Sequence, residues 1–275
     1  MRIAFFGDIV GRPGRAGVKA RFPVLREKLR LDGIIANAEN AAGGIGITRE
    51  TLREVFGAGA DVITGGNHTW RNGEVYSTLD ENTRVVRPAN VAPEMPGKGH
   101  LVHELPNGVK IAVINLLGRS FMDTMADCPF RTVDAILAGL PEDVVLRFVD
   151  FHAEATSEKR AMGHHLDGRV SAVVGTHTHV QTADATIMPK GTAYITDLGM
   201  CGAERISILG MEPAGIIKKF ATGLPVRFKP SPGDGTLNGL VADFDPATGK
   251  ALRAVTLRET ASPLYDPARA QLFPE

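Results

Sequence analysis

The chain repeatedly carries an apolar, β-branched stretch up to a polar residue and stops there. Five stretches do this: "RIAFF" from residue 2, "GIIA" from 33, "DVIT" from 61, "VVLRFV" from 144 and "SAVVG" from 171. Stretches apolar at successive positions bury both faces, so they predict strands enclosed between other layers rather than a sheet with one wet side. Helical patterns separate them. Pro13 falls where the first turn of a helix tolerates it, and that helix would carry Val18, Phe22, Leu25 and Leu29 on one side. Thr48 predicts an N-cap for "RETLREVFGAG", which closes on glycine. Strand and helix in alternation predict a layered α/β fold.

Antiparallel pieces are mixed in. Asn107 and Gly108 in "LPNGVK" predict a tight hairpin, and "DFDPATGKAL" predicts a second, longer one. No repeat or low-complexity block divides the chain, and "RFKPSPGDGT" at 227–236 is only a weak boundary candidate. The pattern predicts one α/β domain over residues 1–275 with mixed sheets.

Each apolar stretch ends at oxygen or imidazole donors. Asp8 follows the first, Glu39 and Asn40 the second, Asn67 and His68 the third, His152 the fourth, and His177 and His179 the fifth. Singly, each has an ordinary explanation: Glu39 as a solvated carboxylate or cap, His152 as a hydrogen-bonded core histidine. Repetition at every stretch changes the balance. Ligands of open α/β sheets bind beyond the carboxyl ends of the strands, so these residues are predicted to converge. The His177-x-His179 spacing in extended chain would put both imidazoles on one side. Gly7, Gly65, Gly66 and Gly175 precede these donors, where the strands must turn and the backbone must come close to something bound.

Imidazole, carboxylate and amide donors without thiolate suit manganese, iron or zinc better than calcium or magnesium. The donors Asp8, Glu39, Asn40, Asn67, His152, His177 and His179 over-supply one ion and suit two. Two divalent ions against two carboxylates leave surplus positive charge for a phosphate. The expected chemistry is displacement at phosphorus by a hydroxide bridging two ions about 3.5–4 Å apart. His68, beside a ligand, could protonate the departing alkoxide.

"GDIVG", "NAEN", "GGNHTW", "DFHAEATSEK" and "GTHTHVQTAD", spread over residues 7–184, resemble the YmdB-like branch of the calcineurin-like metallophosphoesterases. The resemblance implies a four-layer αββα sandwich of two mixed β-sheets and hydrolysis of 2′,3′-cyclic nucleotides such as 2′,3′-cyclic AMP. It implies two divalent or trivalent metal ions, iron or manganese with zinc as a further choice. Asp8, Asn40 and His179 would hold one ion, Asn67, His152 and His177 the other, with Glu39 between them and His68 as proton donor. The chain departs from the wider superfamily at Val10, where a histidine is usual, and at Glu39, where the bridging residue is usually aspartate.

The remaining features are weaker. Arg12, Arg71, Arg119 and Lys159 lie near the predicted site loops as candidate phosphate or base contacts. Trp70 is expected to bury against a strand rather than stack on a base, and His164 and His165 to lie on the surface of a helix. Cys128 and Cys201 match no zinc spacing and read as buried free thiols. Lys plus Arg balances Asp plus Glu at 31 each, so no global field draws nucleic acid or an anionic membrane. The start, "MRIAFFGDIV", is cut by Asp8 and reads as a first core strand of a cytoplasmic protein. The expected partner is a small cyclic nucleotide or phosphodiester; self-association as a homo-oligomer stays open.

Of three rival functions, a dinucleotide-cofactor oxidoreductase ranks well below a hydrolase. Gly7, Gly11 and Gly14 give G-x-x-x-G-x-x-G, which is not the dinucleotide fingerprint, and no P-loop occurs. A general phosphomonoesterase on the same metals and a non-catalytic cyclic-nucleotide sensor fit the same residues.

Overall fold

The structure is a computed structural model that describes residues 1–81 and 84–260. Along the chain it forms β1 (Arg2–Phe6), β2 (Asp8–Ile9), α1 (Gly11–Leu29), β3 (Gly33–Asn37), α2 (Arg49–Gly57), β4 (Val62–Thr64), α3 (Tyr76–Glu81) and β5 (Val85–Val86). There follow β6 (His100–Glu104), β7 (Lys110–Leu117), α4 (Pro129–Gly139), β8 (Leu146–His152), α5 (Thr156–Leu166), β9 (Ala172–Thr176), β10 (Thr186–Ile187) and β11 (Ala193–Ile195). The last elements are β12 (Met200–Cys201), α6 (Pro213–Thr222), β13 (Thr236–Phe244) and β14 (Ala251–Thr260). All five apolar stretches are strands.

Two six-stranded mixed sheets result, in the orders β14-β13-β1-β3-β4-β5 and β10-β11-β9-β8-β7-β6. Strand alternation assigns successive side chains to opposite faces, and this builds the layers. On β1, Ile3 and Phe5 enter the core between the sheets, while Ala4 and Phe6 enter the core under α1 and α2. On β8, Leu146 and Phe148 face the first sheet and Val149 and Phe151 face α5. Phe5 and Phe148 meet edge to face across the sheets with ring centroids 5.2 Å apart, a favoured aromatic geometry. The fold is the four-layer αββα sandwich of two mixed β-sheets.

The local signals behave as their chemistry dictates. Thr48 caps α2 in a reciprocal capping box with Thr51. Val18, Phe22 and Leu25 of α1 are buried, with Leu29 partly so. Gly108, at φ 81°, turns the β6–β7 hairpin, and β13 and β14 form the longer one. The 227–236 stretch leads directly into β13 inside the first sheet, and Ser231 N–H donates to the Gly210 carbonyl at 2.8 Å. Missing from the five stretches is β7, "KIAVINLL", buried from Ile111 to Leu117. It is apolar enough to be read, but it ends in no ligand-type residue.

Within the first sheet β1, β3 and β4 run parallel, and within the second β8 and β9 do. Their carboxyl ends meet at one end of the sandwich, where the predicted donors lie. No helix among the described residues is long and apolar enough to cross a membrane.

Candidate metal centre

Five strand ends deliver the eight predicted residues to one place. Asp8, Glu39 and His152 are buried, with one donor atom from each within 4.8 Å of the others. His152 closes β8, and its Nε2 lies 2.9 Å from Asn67 Oδ1, 3.1 Å from His177 Nδ1 and 3.4 Å from Glu39 Oε1. His179 Nε2 is 3.2 Å from Asn40 Nδ2 and 3.7 Å from Asp8 Oδ1. The Asn40 amide also reaches Glu39 Oε1 at 2.9 Å. Glu39 therefore neighbours both the Asn40–His179 side and the Asn67–His152–His177 side. His68 stands at the rim, its Nδ1 2.8 Å from Asn40 Oδ1 and its N–H donating to Glu39 Oε2 at 2.9 Å.

The two histidines of the fifth strand end converge by a different route from strand alternation. β9 ends at Thr176, and His177 and His179 have φ of 100° and 66°. Such left-handed backbone is unfavourable for any side chain larger than glycine. It turns His177 toward His152 and His179 toward Asp8, where an extended chain would have sent both the same way. The turn is held from beneath. Asp197 Oδ2 accepts from Thr178 N–H at 3.1 Å and from Lys159 Nζ at 2.6 Å. His177 N–H donates to Asp8 Oδ2 at 3.1 Å.

The glycines preceding these residues allow close approach, chiefly of other backbone rather than of a ligand. A Cβ on Gly7 would lie 1.8 Å from the Gly199 carbonyl oxygen, and one on Gly175 1.8 Å from that of Thr196. On Gly65 it would meet Thr69 Oγ1 at 2.3 Å. Only Gly66 abuts the donors themselves: its Cβ would be 2.2 Å from Glu39 Oε2 and 2.5 Å from His152 Nε2.

The electrostatics fit a cation. Asp8 Oδ1 is buried without a hydrogen-bond partner, a costly state for a carboxylate oxygen unless positive charge is supplied. Burial raises the Asp8 pKa, opposed by His179 and His152. Burial acts on Glu39 too, yet the charges and hydrogen bonds of His152 and His68 hold its carboxyl well below the usual range. Conversely, His152 is raised to about 9 by Glu39 and Asp8 despite its burial, whereas burial and the adjacent His152 push His177 down to about 3. A cluster of oxygen and nitrogen donors that stabilises positive charge this strongly suits metal ions.

The weaker candidates divide. Lys159 is 1% exposed beneath the turn and contacts Asp197 rather than a substrate, because an ammonium buried that deeply must be paired. Arg12, Arg71 and Arg119 are exposed. Trp70 packs against the core under α1 and α2 and donates to the Pro96 carbonyl at 3.1 Å. His164 is exposed, and His165 pairs with Asp134 at 2.9 Å, away from the centre. Cys201 is buried, but Cys128 is only half-buried, as it sits at the N-cap of α4. Asp150, Thr176, Thr64 and Asn37 were not singled out by sequence, although they form the buried network directly behind the donors.

The family model described as YmdB-like protein matches residues 4–257. A Bacillus subtilis protein named 2′,3′-cyclic-nucleotide 2′-phosphodiesterase is 51% identical over 92% of this chain and 95% of its own length. A solved structure of a hypothetical protein from Thermus thermophilus is 42% identical with a TM-score of 0.88, covering 94% of this chain and 99% of its own. One of a phosphatase from Mycoplasma pneumoniae is 36% identical with a TM-score of 0.89, covering 94% and 93%. The match thus runs through every strand end that carries a donor, and the chain belongs to the YmdB-like family.

Proposed function

We propose that this chain, as one metallophosphoesterase domain, is a metal-dependent phosphodiesterase that opens 2′,3′-cyclic nucleotides. The observation that carries the reading is the buried Asp8–Glu39–His152 group in a chain 51% identical to a relative named for that activity. Asp8, Asn40 and His179 would hold one ion, Asn67, His152 and His177 the other, and Glu39 both. The mutual neighbours support this division: His152 lies beside Asn67 and His177, and His179 beside Asn40 and Asp8. Iron or manganese suits the set, with zinc as a further choice. Bound ions would supply Lewis-acid chemistry, neutralising phosphate charge and lowering the pKa of a water.

The chain's own residues supply the proton traffic. As an imidazolium, His68 directs Nδ1–H to Asn40 Oδ1 at 2.8 Å and Glu39 Oε1 at 3.1 Å, and its Nε2 proton passes to the ribose oxygen that leaves phosphorus, returning the ring to its neutral form. His68 is thus the proton donor, in reach of the centre yet open to solvent, with 23% of its side chain accessible. A good general acid contributes about 10²–10⁴-fold.

The test compares 2′,3′-cyclic AMP with a nucleoside monophosphate, using the metal-loaded chain and its His68→Ala variant. The expected result is turnover of the cyclic diester well above the monoester, and loss of about 100-fold or more in kcat for the variant. Equal or faster monoester turnover would favour a general phosphomonoesterase. Tight binding of the cyclic nucleotide without turnover would favour a sensor.

A further inference from the structure

Behind the donors lies a carboxylate that is not itself one of them. Asp150 is 4% exposed, on β8 between the two sheets. Its Oδ1 accepts from the Thr176 hydroxyl at 2.7 Å, and its Oδ2 accepts from the Thr64 hydroxyl and from Asn37 Nδ2 at 3.1 Å. Those partners end β9, β4 and β3, two of them in the opposite sheet. Each stands one to three residues before a donor: Thr176 before His177, Thr64 before Asn67, Asn37 before Glu39. Asn37 also accepts from the Glu39 N–H at 3.1 Å and donates to the Gly65 carbonyl at 2.8 Å.

The same network reaches His152. Its Nδ1 lies 2.9 Å from Thr176 Oγ1. The hydroxyl has one proton, and the neighbouring carboxylate takes it, so the oxygen can only accept from His152 Nδ1–H. With Nδ1–H held in this way, Nε2 is the nitrogen that would give up its proton to bind a metal ion, and it is the atom that faces Asn67 Oδ1, His177 and Glu39.

We propose that Asp150 is a positioning residue: it pins the ends of β3, β4 and β9 across the two sheets and, through Thr176, fixes the tautomer and aim of His152 toward the metal centre. This rests on the metal reading above only for the last step. Hydrogen-bond partners of ligating histidines set ligand orientation and typically change metal affinity by about 10–100-fold when removed.

Replacing Asp150 by alanine would leave several buried donors unpaired and could unfold the chain, so the decisive variant is Thr176→Val, which keeps shape and strand propensity. Manganese affinity by chelator competition is expected to fall about 10–100-fold in Thr176→Val and to return to within a few-fold of the parent in Thr176→Ser. Asp150→Asn should fall with Thr176→Val. In metal-free, ¹⁵N-histidine-labelled protein, the His152 Nδ1 proton should be protected from exchange in the parent and in Thr176→Ser, and unprotected in Thr176→Val. Unchanged manganese affinity in folded Thr176→Val, or an unprotected Nδ1 proton in the parent, would overturn the proposal. A parent that binds no manganese yet shows the protected proton would remove the metal reading and leave the positioning role standing.

Discussion

Lys159 Nζ lies 2.6 Å from Asp197 Oδ2, and both side chains are 1% exposed. The pair sits under Thr178, between the two histidines with left-handed backbone. Replacing one partner leaves the other charge buried and unpaired, at a cost of about 3–5 kcal/mol. Asp197→Ala also strips the acceptor from Thr178 and Gly199 N–H. Denaturant unfolding should therefore show a loss of that order for either single variant, with Lys159→Met/Asp197→Leu recovering much of it. A loss in the double variant equal to the sum of the singles would mean the two residues are uncoupled.

Gly66 is needed for space rather than for backbone freedom, since it is absent from the left-handed positions. A methyl group there would fall on Glu39 Oε2 and His152 Nε2. Gly66→Ala is expected to keep the fold and lose metal affinity by at least about 10-fold, whereas Gly73→Ala, where a Cβ meets nothing within 4 Å, should leave binding unchanged. Isothermal titration with manganese separates the two; full affinity in Gly66→Ala would show that the two donors move without consequence.

The two thiols should react differently. Backbone hydrogen bonds from Arg131 and Phe130 at the start of α4 lower the Cys128 pKa, partly offset by burial, and Cys128 lines a cavity of about 720 Å³. Burial pushes Cys201 up to about 12. The thiolate is the reactive form, so a lowered pKa shifts the alkylation profile to lower pH. Native protein at pH 8 should label at Cys128 alone, with the half-maximal rate reached at a lower pH than for free cysteine, and at both thiols only in denaturant. Mass spectrometry of the labelled chain would detect a contrary pattern directly.

Residues in strands and at their ends were readable because their chemistry is local. "RIAFF" splits by alternation between two cores, and "GIIA" does the same. The seven metal-ligand candidates lie at the ends of those strands or within three residues beyond them, and His68 within four, so a sheet with parallel strands was enough to predict their meeting. The aim of His177 and His179 was not readable, because it depends on left-handed backbone held by Asp197, which arrives from the loop after β11. Nor was Asp150. Its partners Asn37, Thr64 and Thr176 come from three other strands in two sheets, and no spacing in the chain reveals a buried carboxylate shared among them. Lys159 misled for the same reason: in sequence it is a cation near a site loop, and in space it is buried under one.

The proposal that the centre takes two metal ions and needs both for hydrolysis is tested most directly by stripping the protein of metal and returning manganese in fractions of an equivalent. Hydrolysis of 2′,3′-cyclic AMP is followed throughout, with Glu39→Gln alongside. The predicted result is no turnover without metal, a rise that saturates at two ions per chain, and little activity in the variant at any ratio. Turnover in the stripped protein, saturation at one ion, or full activity in Glu39→Gln would contradict it.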